Sequence, residues 1–332
     1  MKQKRALVTG AAGFLGFHLC SRLIKEGYSV IGVDDLSTGL KSNAEQLIKK
    51  GVYFIKADVS SEWNEWAQSL SKDFEFVFHF ASPASPPIYQ KMQLKTLAVN
   101  SLGLYRALEF ASSHSARLIF ASTSEVYGSP QVSPQPESYW GNTNSFGARS
   151  CYDEAKRFGE ALIYSYNQEK NTSHGLVRIF NTYGPNMNPN DGRVIINFLV
   201  QLKEGKPLTV HGDGKQTRSF CYVDDLIEGI YRYALKKEIS YPINLGNENE
   251  FTILELAQEI QKMSSEKIEI QFIDRPIDDP PIRNPDLSLA KKILEWSPTI
   301  ELQKGLQIFV SWLSKNSSKP KKDFALKEIT SP

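Results

Sequence analysis

The sequence predicts an α/β fold in which a doubly wound parallel sheet is joined to a smaller C-terminal α/β substrate domain. Two observations support this class. Short, almost continuous apolar runs alternate with amphipathic segments over residues 5–184, which is typical of parallel strands covered on both faces by helices. A glycine-rich turn also joins the first strand to the first helix. Together they indicate a sheet of the Rossmann type.

Six apolar runs in the first half are predicted strands, namely RALVTG, SVIGVDD, VYFIKAD, FEFVFHFA, RLIFASTS and GLVRIFNTYG. Between them we predict amphipathic helices over residues 14–26, 97–113 and 152–169. The alternation of strands and helices is the basis for the predicted parallel sheet.

The pattern changes after Gly184, where the polar loop GPNMNPNDGR begins. A helix over 194–204, the strands PLTVHG and TRSFCYV, and the core strand YPINLG follow, and a smaller second layer is completed by FTILELAQEIQKM, KIEIQFID and helices near 287–294 and 302–314. We predict a cofactor-binding domain at 1–182 with 219–247, a substrate-binding domain at 183–218 with 248–315, and a flexible polar tail at 316–332.

The composition limits the classes of function. Of the 332 residues, 41% are hydrophobic and 23% charged, as in soluble globular proteins. A net charge of +2 gives no reason to expect nucleic acid or an anionic membrane as a partner, and no apolar run reaches the ~18 residues of a membrane span. The three cysteines lack the spacing of a metal site or a disulfide framework. We therefore expect a cytoplasmic protein without a metal site.

The turn TGAAGFLG carries the first functional signal, because Gly10, Gly13 and Gly16 surround Phe14 and Leu15 at the start of the first helix. Glycines at this spacing let the backbone turn tightly and approach a pyrophosphate at the helix N-terminus. Such turns also close ordinary βα units, so the prediction of a dinucleotide site depends on its context.

Acidic strand ends supply that context. Asp34 ends the second predicted strand 18 residues beyond Gly16, near the ~20 expected for the acid that binds the ribose. A carboxylate there accepts hydrogen bonds from both ribose hydroxyls and repels a 2′-phosphate, which predicts NAD rather than NADP. Asp35 is compatible with a solvated turn residue. Asp58, followed by Val59, is a candidate adenine contact or simply a turn residue.

A tyrosine and a lysine form the second signal. Tyr152 and Lys156 in SCYDEAK lie four residues apart, which places them on one helical face. Such pairs are frequent by chance and usually lie on a surface. Here the pair follows STSEVYG, with Thr123, Ser124 and Glu125, inside a dinucleotide-binding pattern. It therefore suggests a proton-transfer site.

On these motifs, the chain resembles the extended short-chain dehydrogenase/reductase superfamily over about residues 4–315. The resemblance implies that Tyr152 is the catalytic base and that the Lys156 ammonium and a positive nicotinamide lower its pKa. It also implies that Lys156 holds the nicotinamide ribose and that Thr123 hydrogen-bonds the reacting oxygen.

Further stretches together resemble the UDP-glucuronate decarboxylases, or UDP-xylose synthases: HFASPASPP, TSEVYG, CYDEAKR, RIFNTYGP, NDGRV, QTRSFCYVDD and DDPPIRNPD. The resemblance implies NAD-dependent decarboxylation of UDP-glucuronate to UDP-xylose through a 4-keto sugar, with NAD regenerated. It also implies an active-site arginine at Arg283, a diphosphate-side asparagine at Asn181, and substrate contacts at Ser82, Ser85 and Ser124.

Three arginines have two possible roles each. Arg193 and Arg218 are candidate diphosphate ligands, because guanidinium groups bind phosphate as a fork, but either could form a surface ion pair. Arg283 could likewise be a surface residue in a proline-rich loop. His79 ends a core strand and is predicted to be packed rather than catalytic.

Ser124 separates two of the possible reactions. A 4,6-dehydratase needs an aspartic acid to protonate the departing 6-hydroxyl; the resemblance puts Ser124 in its place, and a serine hydroxyl is a poor acid. Decarboxylation needs no such acid. Once C4 is a ketone, the C6 carboxylate is β to it, and CO₂ leaves with the electrons delocalised onto the C4 oxygen. Glu125 is then free to orient the ring or a water, or to help deliver the C5 proton.

Other functions stay open. A 4-epimerase of a UDP-sugar or UDP-uronic acid shares the first step. Ala98 and Arg106 stand where these decarboxylases usually carry a lysine and an asparagine. A non-enzymatic NAD-sensing regulator on the same fold is disfavoured by the intact Thr123, Tyr152 and Lys156 set.

The resemblance also implies a homodimer in which two helices of each subunit pack together, here 97–113 and 152–170. One apolar face of each helix must cover the sheet. A second face, including Tyr105 and Tyr164, would be exposed in a monomer, as at an interface. The alternative is that these aromatics are isolated surface residues.

Overall fold

The computed structural model describes residues 4–68, 70, 73–264, 268–274, 280 and 282–316. The predicted tail beyond residue 316 lies outside the described residues, as do Lys267, Asp278, Asp279 and Pro281 of the runs KIEIQFID and DDPPIRNPD.

The strands of the described chain are β1 (Arg5–Thr9), β2 (Ser29–Asp34), β3 (Tyr53–Lys56), β4 (Phe76–His79), β5 (Arg117–Thr123), β6 (Gly175–Ile179), β7 (Thr182–Tyr183), β8 (Leu208–His211), β9 (Thr217–Ser219), β10 (Cys221–Tyr222), β11 (Ile243–Leu245), β12 (Glu250–Thr252), β13 (Ile270–Ile273) and β14 (Ile282–Arg283).

The helices are α1 (Phe14–Lys25), α2 (Lys41–Lys49), α3 (Asn64–Ala67), α4 (Pro86–Tyr89), α5 (Gln93–Ala98), α6 (Leu104–Ser113), α7 (Ser150–Lys170), α8 (Val194–Lys203), α9 (Val223–Leu235), α10 (Ile253–Gln261), α11 (Ser288–Leu294) and α12 (Leu302–Lys315). A π-helical turn (Val99–Gly103) joins α5 to α6, and a 3₁₀ turn (Ser124–Tyr127) follows β5.

Seven strands form one parallel sheet in the order β11-β6-β5-β4-β1-β2-β3. Every residue of β4 and β5 is buried, as expected for strands covered on both faces. The predicted fold class is confirmed. The strand order reverses between β1 and β4, and the carboxyl ends of strands at such a point form the usual ligand crevice of α/β sheets.

Smaller sheets lie beyond the main one. The predicted strand GLVRIFNTYG is divided into β6 and β7: the Phe180 N–H donates to the Leu245 carbonyl of β11 (2.9 Å), and β7 then pairs with β10. TRSFCYV is divided in the same way, since β9 lies between β12 and β14. These pairings bring Arg283 beside Arg218. The predicted domain division stays a prediction.

The predicted helix over 97–113 is replaced by α5, the π-helical turn and α6. Within the described residues, no helix combines the length and apolar character that crossing a membrane requires.

Candidate active site

A cleft of about 370 Å³ lies at the carboxyl ends of β4, β5 and β6. Its walls include Phe80 and Ser82 after β4, residues 121–125 of β5 and its 3₁₀ turn, and residues 179–182 after β6. Leu15 of α1 lines it from the cofactor side. Its place beside the reversal of strand order agrees with the usual position of a ligand site in this fold.

Three predicted residues meet in this cleft. Thr123 ends β5, and α7 carries Tyr152 and Lys156 to it. The Thr123 hydroxyl hydrogen-bonds the Tyr152 side chain. The Lys156 ammonium donates to the Ala121 carbonyl (2.7 Å) and lies 4.6 Å from the centroid of the Phe120 ring. All three predicted side chains are buried, so the Tyr-x-x-x-Lys pair is not a surface pair.

Burial determines the protonation of this pair. It raises the pKa of Tyr152 to about 12, although the hydrogen bond from Thr123 opposes it. It lowers the pKa of Lys156 to about 7. In the protein alone, desolvation of the phenolate outweighs the nearby hydroxyl. The expected lowering of the tyrosine pKa includes the charge of the nicotinamide and stays a prediction.

Glu125 is clamped between two arginines. Its Oε2 atom accepts from Arg283 Nη2 (2.9 Å) and from Arg149 Nη2, and Arg283 Nη1 donates to the Ser124 carbonyl (2.7 Å). Burial favours the neutral acid, but the charges of Arg283, Arg149 and Arg218 outweigh it and hold the pKa of Glu125 below its usual range. Arg283 is only 1% exposed, so it is not the surface arginine of the alternative.

Tyr89, Arg149 and Asp153 belong to this region and were missed by the sequence analysis. Tyr89 stacks on Tyr152. Asp153 follows Tyr152 directly in the first turn of α7, and Arg149 precedes that helix. In the sequence, the only indication of a role for Arg149 and Asp153 is that these charged residues lie close to Tyr152. That position does not show that either side chain is buried.

Basic side chains outnumber acidic ones on the walls of the cleft. Among the described residues that line it, Glu125 is the only carboxylate, whereas the basic side chains are Arg149, Lys156, Arg193, Arg218 and Arg283.

Arg193 and Arg218 form contacts that do not involve Glu125. Arg193 forms a bidentate ion pair with Asp191 (2.5 and 2.8 Å), and it also lines the cleft. Arg218 donates to the Thr217 and Pro280 carbonyls (2.8 and 2.7 Å).

The other predicted substrate residues are placed as follows. Ser82, Ser124 and Asn181 line the cleft. Ser85 is not among the residues that line it; this side chain is buried, and its hydroxyl has no hydrogen-bond partner among the described residues. Arg106 binds the Ser60 carbonyl and Glu62; neither Arg106 nor Ala98 lines the cleft.

A second cavity of about 60 Å³ adjoins the glycine-rich turn and is lined by five predicted cofactor residues: Gly10, Gly13, Asp34, Asp58 and Val59. Phe14 and Gly16 pack behind the turn. A Cβ atom at Gly16 would lie 2.0 Å from the Gly10 carbonyl oxygen, so this contact requires glycine. The N-cap residue of α1, Gly13, has no side chain to cap the helix. The backbone N–H groups of the first turn of α1 are therefore available to bind a pyrophosphate.

The acids of this cavity are held by specific partners. Asp34 accepts from the Ala12 and Leu36 N–H groups (3.0 and 2.8 Å), while burial raises its pKa. Asp35 is not a solvated turn residue: it pairs with Lys95, whose ammonium also lies 3.3 Å from Asp58. The sequence could not show this contact, because Lys95 lies on α5. The glycine turn and Asp34 fit a dinucleotide.

His79 is fully buried between Thr9 (3.0 Å) and the Val99 carbonyl (3.1 Å). Burial lowers its pKa to about 3, so it is a neutral, packed residue, as predicted. In the described part of the chain, no group of three or more His, Cys, Asp or Glu side chains is arranged to hold a metal.

Residues 6–246 match the model of the NAD dependent epimerase/dehydratase family. The chain belongs to this family. The predicted superfamily is thereby confirmed, and NAD is the cofactor of this chain.

Curated family members include close relatives of the chain. UDP-glucuronic acid decarboxylase 1 of Danio rerio is 43% identical over 314 residues, which cover 94% of this chain and 73% of the relative. UDP-glucuronic acid decarboxylase 6 of Arabidopsis thaliana is 43% identical over 306 residues, or 92% of this chain and 87% of the relative. Both agree with the resemblance drawn from the motifs.

Solved structures of the family share the fold. A UDP-glucuronic acid 4-epimerase from Bacillus cereus, in complex with UDP-glucuronic acid and NAD, has a TM-score of 0.83 and 29% identity, covering 94% of this chain and 99% of that chain. A UDP-glucose 4-epimerase from Thermotoga maritima, with UDP-glucose, has a TM-score of 0.86 and 28% identity, with the same coverage.

Proposed function

We propose that this enzyme converts UDP-glucuronate to UDP-xylose and CO₂ through a 4-keto sugar. The observation that carries the proposal is the charge of the cleft: five basic side chains and, among the described residues, a single carboxylate. A substrate with a diphosphate and a carboxylate is complementary to such a site, because guanidinium groups bind both kinds of anion as a fork. The likeness to named UDP-glucuronic acid decarboxylases supports the same substrate.

We assign the cofactor to the glycine-rich turn, with Asp34 at the ribose and Lys156 at the nicotinamide side. When bound, NAD supplies the oxidation of the sugar at C4 and its reversal. Tyr152 takes the proton of the C4 hydroxyl and returns it to the same oxygen, and the hydrogen bond between Thr123 and Tyr152 aligns the phenol for this transfer. The charge of Lys156 favours the phenolate.

Decarboxylation follows from the ketone at C4, which accepts the electrons left by the departing CO₂. The alternative of 4,6-dehydration requires an acid beside Tyr152. Ser124 is buried there, and Glu125 is held ionised by Arg149 and Arg283, so neither can protonate a departing hydroxyl. Asn181, Arg193 and Arg218, which line the cleft, are assigned to the diphosphate, and Ser82 to the sugar side. Ser85 is buried and does not line the cleft, so we assign it no substrate contact.

A second candidate is 4-epimerisation of UDP-glucuronate, which needs the same first step. It is favoured by the likeness in fold to the Bacillus cereus UDP-glucuronic acid 4-epimerase.

One incubation separates the candidates. The purified protein is mixed with UDP-glucuronate and NAD⁺, and we expect CO₂ and a pentose nucleotide. Tyr152→Phe should form neither, whereas Tyr53→Phe, on an exposed edge strand, should match the wild type. A hexuronate nucleotide epimerised at C4 without CO₂ would support the epimerase, and no turnover with the wild type would exclude both.

We propose in addition that the chain is a cytoplasmic homodimer. On α6, Leu104, Leu108 and Ala111 are buried against the sheet. The other face of α5, α6 and α7 exposes the apolar side chains of Leu97, Tyr105, Phe158 and Tyr164. An exposed apolar surface of this kind is typical of an interface.

The three cysteines are free thiols, as is usual in reducing compartments.

A further inference from the structure

Decarboxylation requires a proton that Tyr152 cannot supply. The C5–CO₂ bond breaks and a C5–H bond forms, so each turnover consumes one proton from solvent. Tyr152 only carries the proton of the C4 oxygen away and back. Glu125, held ionised by Arg149 and Arg283, is a proton acceptor rather than a donor. A separate route must bring a proton to C5.

A third cavity, which is polar, adjoins the cleft beside Glu125. It encloses about 260 Å³ and is lined by Glu125, Arg149, Asp153, Pro280 and the polar loop residues Gly128, Ser129, Asn142, Thr143 and Asn144. Glu125, Arg149 and Pro280 line both the cavity and the cleft. Ser129, Asn142 and Asn144 are exposed, so the cavity reaches solvent. A polar cavity of this size holds several waters.

Asp153 is the unusual member of this cavity. It is only 5% exposed, and its Oδ1 atom has no hydrogen-bond partner among the described residues. Its Oδ2 atom lies 3.6 Å from Arg149 Nε. Buried carboxylate oxygens normally have partners, so an unpartnered carboxylate oxygen in a residue that lines a polar cavity indicates a group that carries a proton.

We propose that this cavity is the proton inlet of the decarboxylation, and that Asp153 is a positioning residue that holds the entering proton. The inference rests on the proposed function. A water beside Glu125 gives a proton to C5, and the proton released by the Asp153 carboxylic acid passes through the cavity waters to replace it, so that no hydroxide is left. At C5 the electron pair of the broken C5–CO₂ bond forms the C5–H bond. Asp153 regains a proton from solvent, so one proton is consumed for each CO₂ released.

The charges around Asp153 agree with this role. Burial, and then the negative charge of Glu125, raise its pKa to about 7, while Arg149 and Arg283 oppose the shift. The other titratable groups that interact with it are Tyr89, Cys151 and Tyr152. A carboxyl of this pKa can both hold and release a proton near neutral pH.

The test follows CO₂ release and pentose formation separately in a single turnover with UDP-glucuronate and NAD⁺. Asp153→Asn should release CO₂ within about twofold of the wild-type rate but form the pentose about 10- to 100-fold more slowly. Asp213→Asn, an exposed aspartate that pairs with Lys215, is the matched control and should match the wild type. In the wild type, the pentose-forming step should slow as the pH rises through about 7, and Asp153→Asn should lose that dependence.

The arm on the wild type needs no variant, so it can overturn the inlet even if Asp153→Asn does not fold. A pentose-forming step that is independent of pH in the wild type, or that keeps the wild-type rate in Asp153→Asn, would overturn the inlet alone. A wild type that releases no CO₂ would overturn the proposed function and the inlet with it.

Discussion

The ring of Tyr89 lies flat on the ring of Tyr152, with centroids 5.0 Å apart and planes within 3°. Tyr89 ends the short helix α4, and its hydroxyl has no hydrogen-bond partner among the described residues. The phenol assigned as the base is therefore held by a stacked ring rather than by a polar contact from that side.

This stack predicts different results for two substitutions of Tyr89. Tyr89→Leu should lower kcat about 10- to 100-fold, because a small displacement of a catalytic group has a large effect on rate. Tyr89→Phe keeps the stack and removes a buried, unpartnered hydroxyl, so it should retain activity and be at least as stable as the wild type. Steady-state kinetics and denaturant unfolding check both, and equal activity of the two variants would contradict a positioning role.

Glu125→Gln should fold and bind NAD but turn over about 10²- to 10⁴-fold more slowly, because the charge that Arg149 and Arg283 hold in place is lost. Glu259→Gln, at a half-buried residue of α10 that pairs with Lys262 and does not line the cleft, is the matched control. Turnover of Glu125→Gln within twofold of the control would remove Glu125 from the mechanism.

Stability should depend on pH through Lys156. Burial lowers its pKa from 10.5 to about 7, so between these values the unfolded chain binds more protons and stability rises with pH. With NAD removed, Lys156→Met should be more stable than the wild type near neutral pH and gain less as the pH rises.

Denaturant unfolding of the two proteins at several values between about pH 7 and about pH 9 tests this dependence. Lys215→Met, at an exposed lysine, should follow the wild type. Parallel curves for the wild type and Lys156→Met would contradict the lowered pKa of the buried Lys156.

NAD(H) should bind much more tightly than NADP(H), because the Asp34 carboxylate repels a 2′-phosphate. Asp34→Asn removes that repulsion and should narrow the preference at least tenfold. Because an amide has a single acceptor oxygen, one of the backbone N–H groups of Ala12 and Leu36 loses its acceptor, and stability should fall by about 1–3 kcal/mol. Titration with both dinucleotides measures the preference. Comparable affinities in the wild type would contradict the role of Asp34.

The proposed dimer is tested by charge on the exposed helix face. Tyr164→Arg, at a residue 69% exposed, should shift the protein from a dimer to a monomer of about 37 kDa in light scattering at micromolar concentration. Tyr53→Arg, at a residue 64% exposed on strand β3, should stay dimeric. A wild type that is already monomeric would overturn the interface.

The sheet could be predicted from the sequence because its central strands are buried on both faces. The run FVFH of β4 is wholly buried, and such a run needs no further information to be recognised. The division of GLVRIFNTYG into β6 and β7 was not predictable in this way. It depends on β10 and β11, which come much later in the chain.

The same distinction applies to the site. Tyr152 and Lys156 are visible as a local spacing, whereas the stack of Tyr89 and the clamp of Arg149 on Glu125 depend on the folded arrangement. The contact of Lys95 with Asp35 and Asp58 joins α5 to the ends of two strands, and no periodicity in the sequence signals it.

The pairing of β11 with β6, Ile243 beside Val177, has a consequence for biosynthesis. The chain leaves the ribosome N-terminus first, so one edge of β6 stays open while β7 to β10 are being made. An open apolar edge pairs readily with other chains. A transcript cut short before Ile243 would therefore yield a nascent product directed to chaperones or inclusion bodies rather than a smaller cofactor-binding protein.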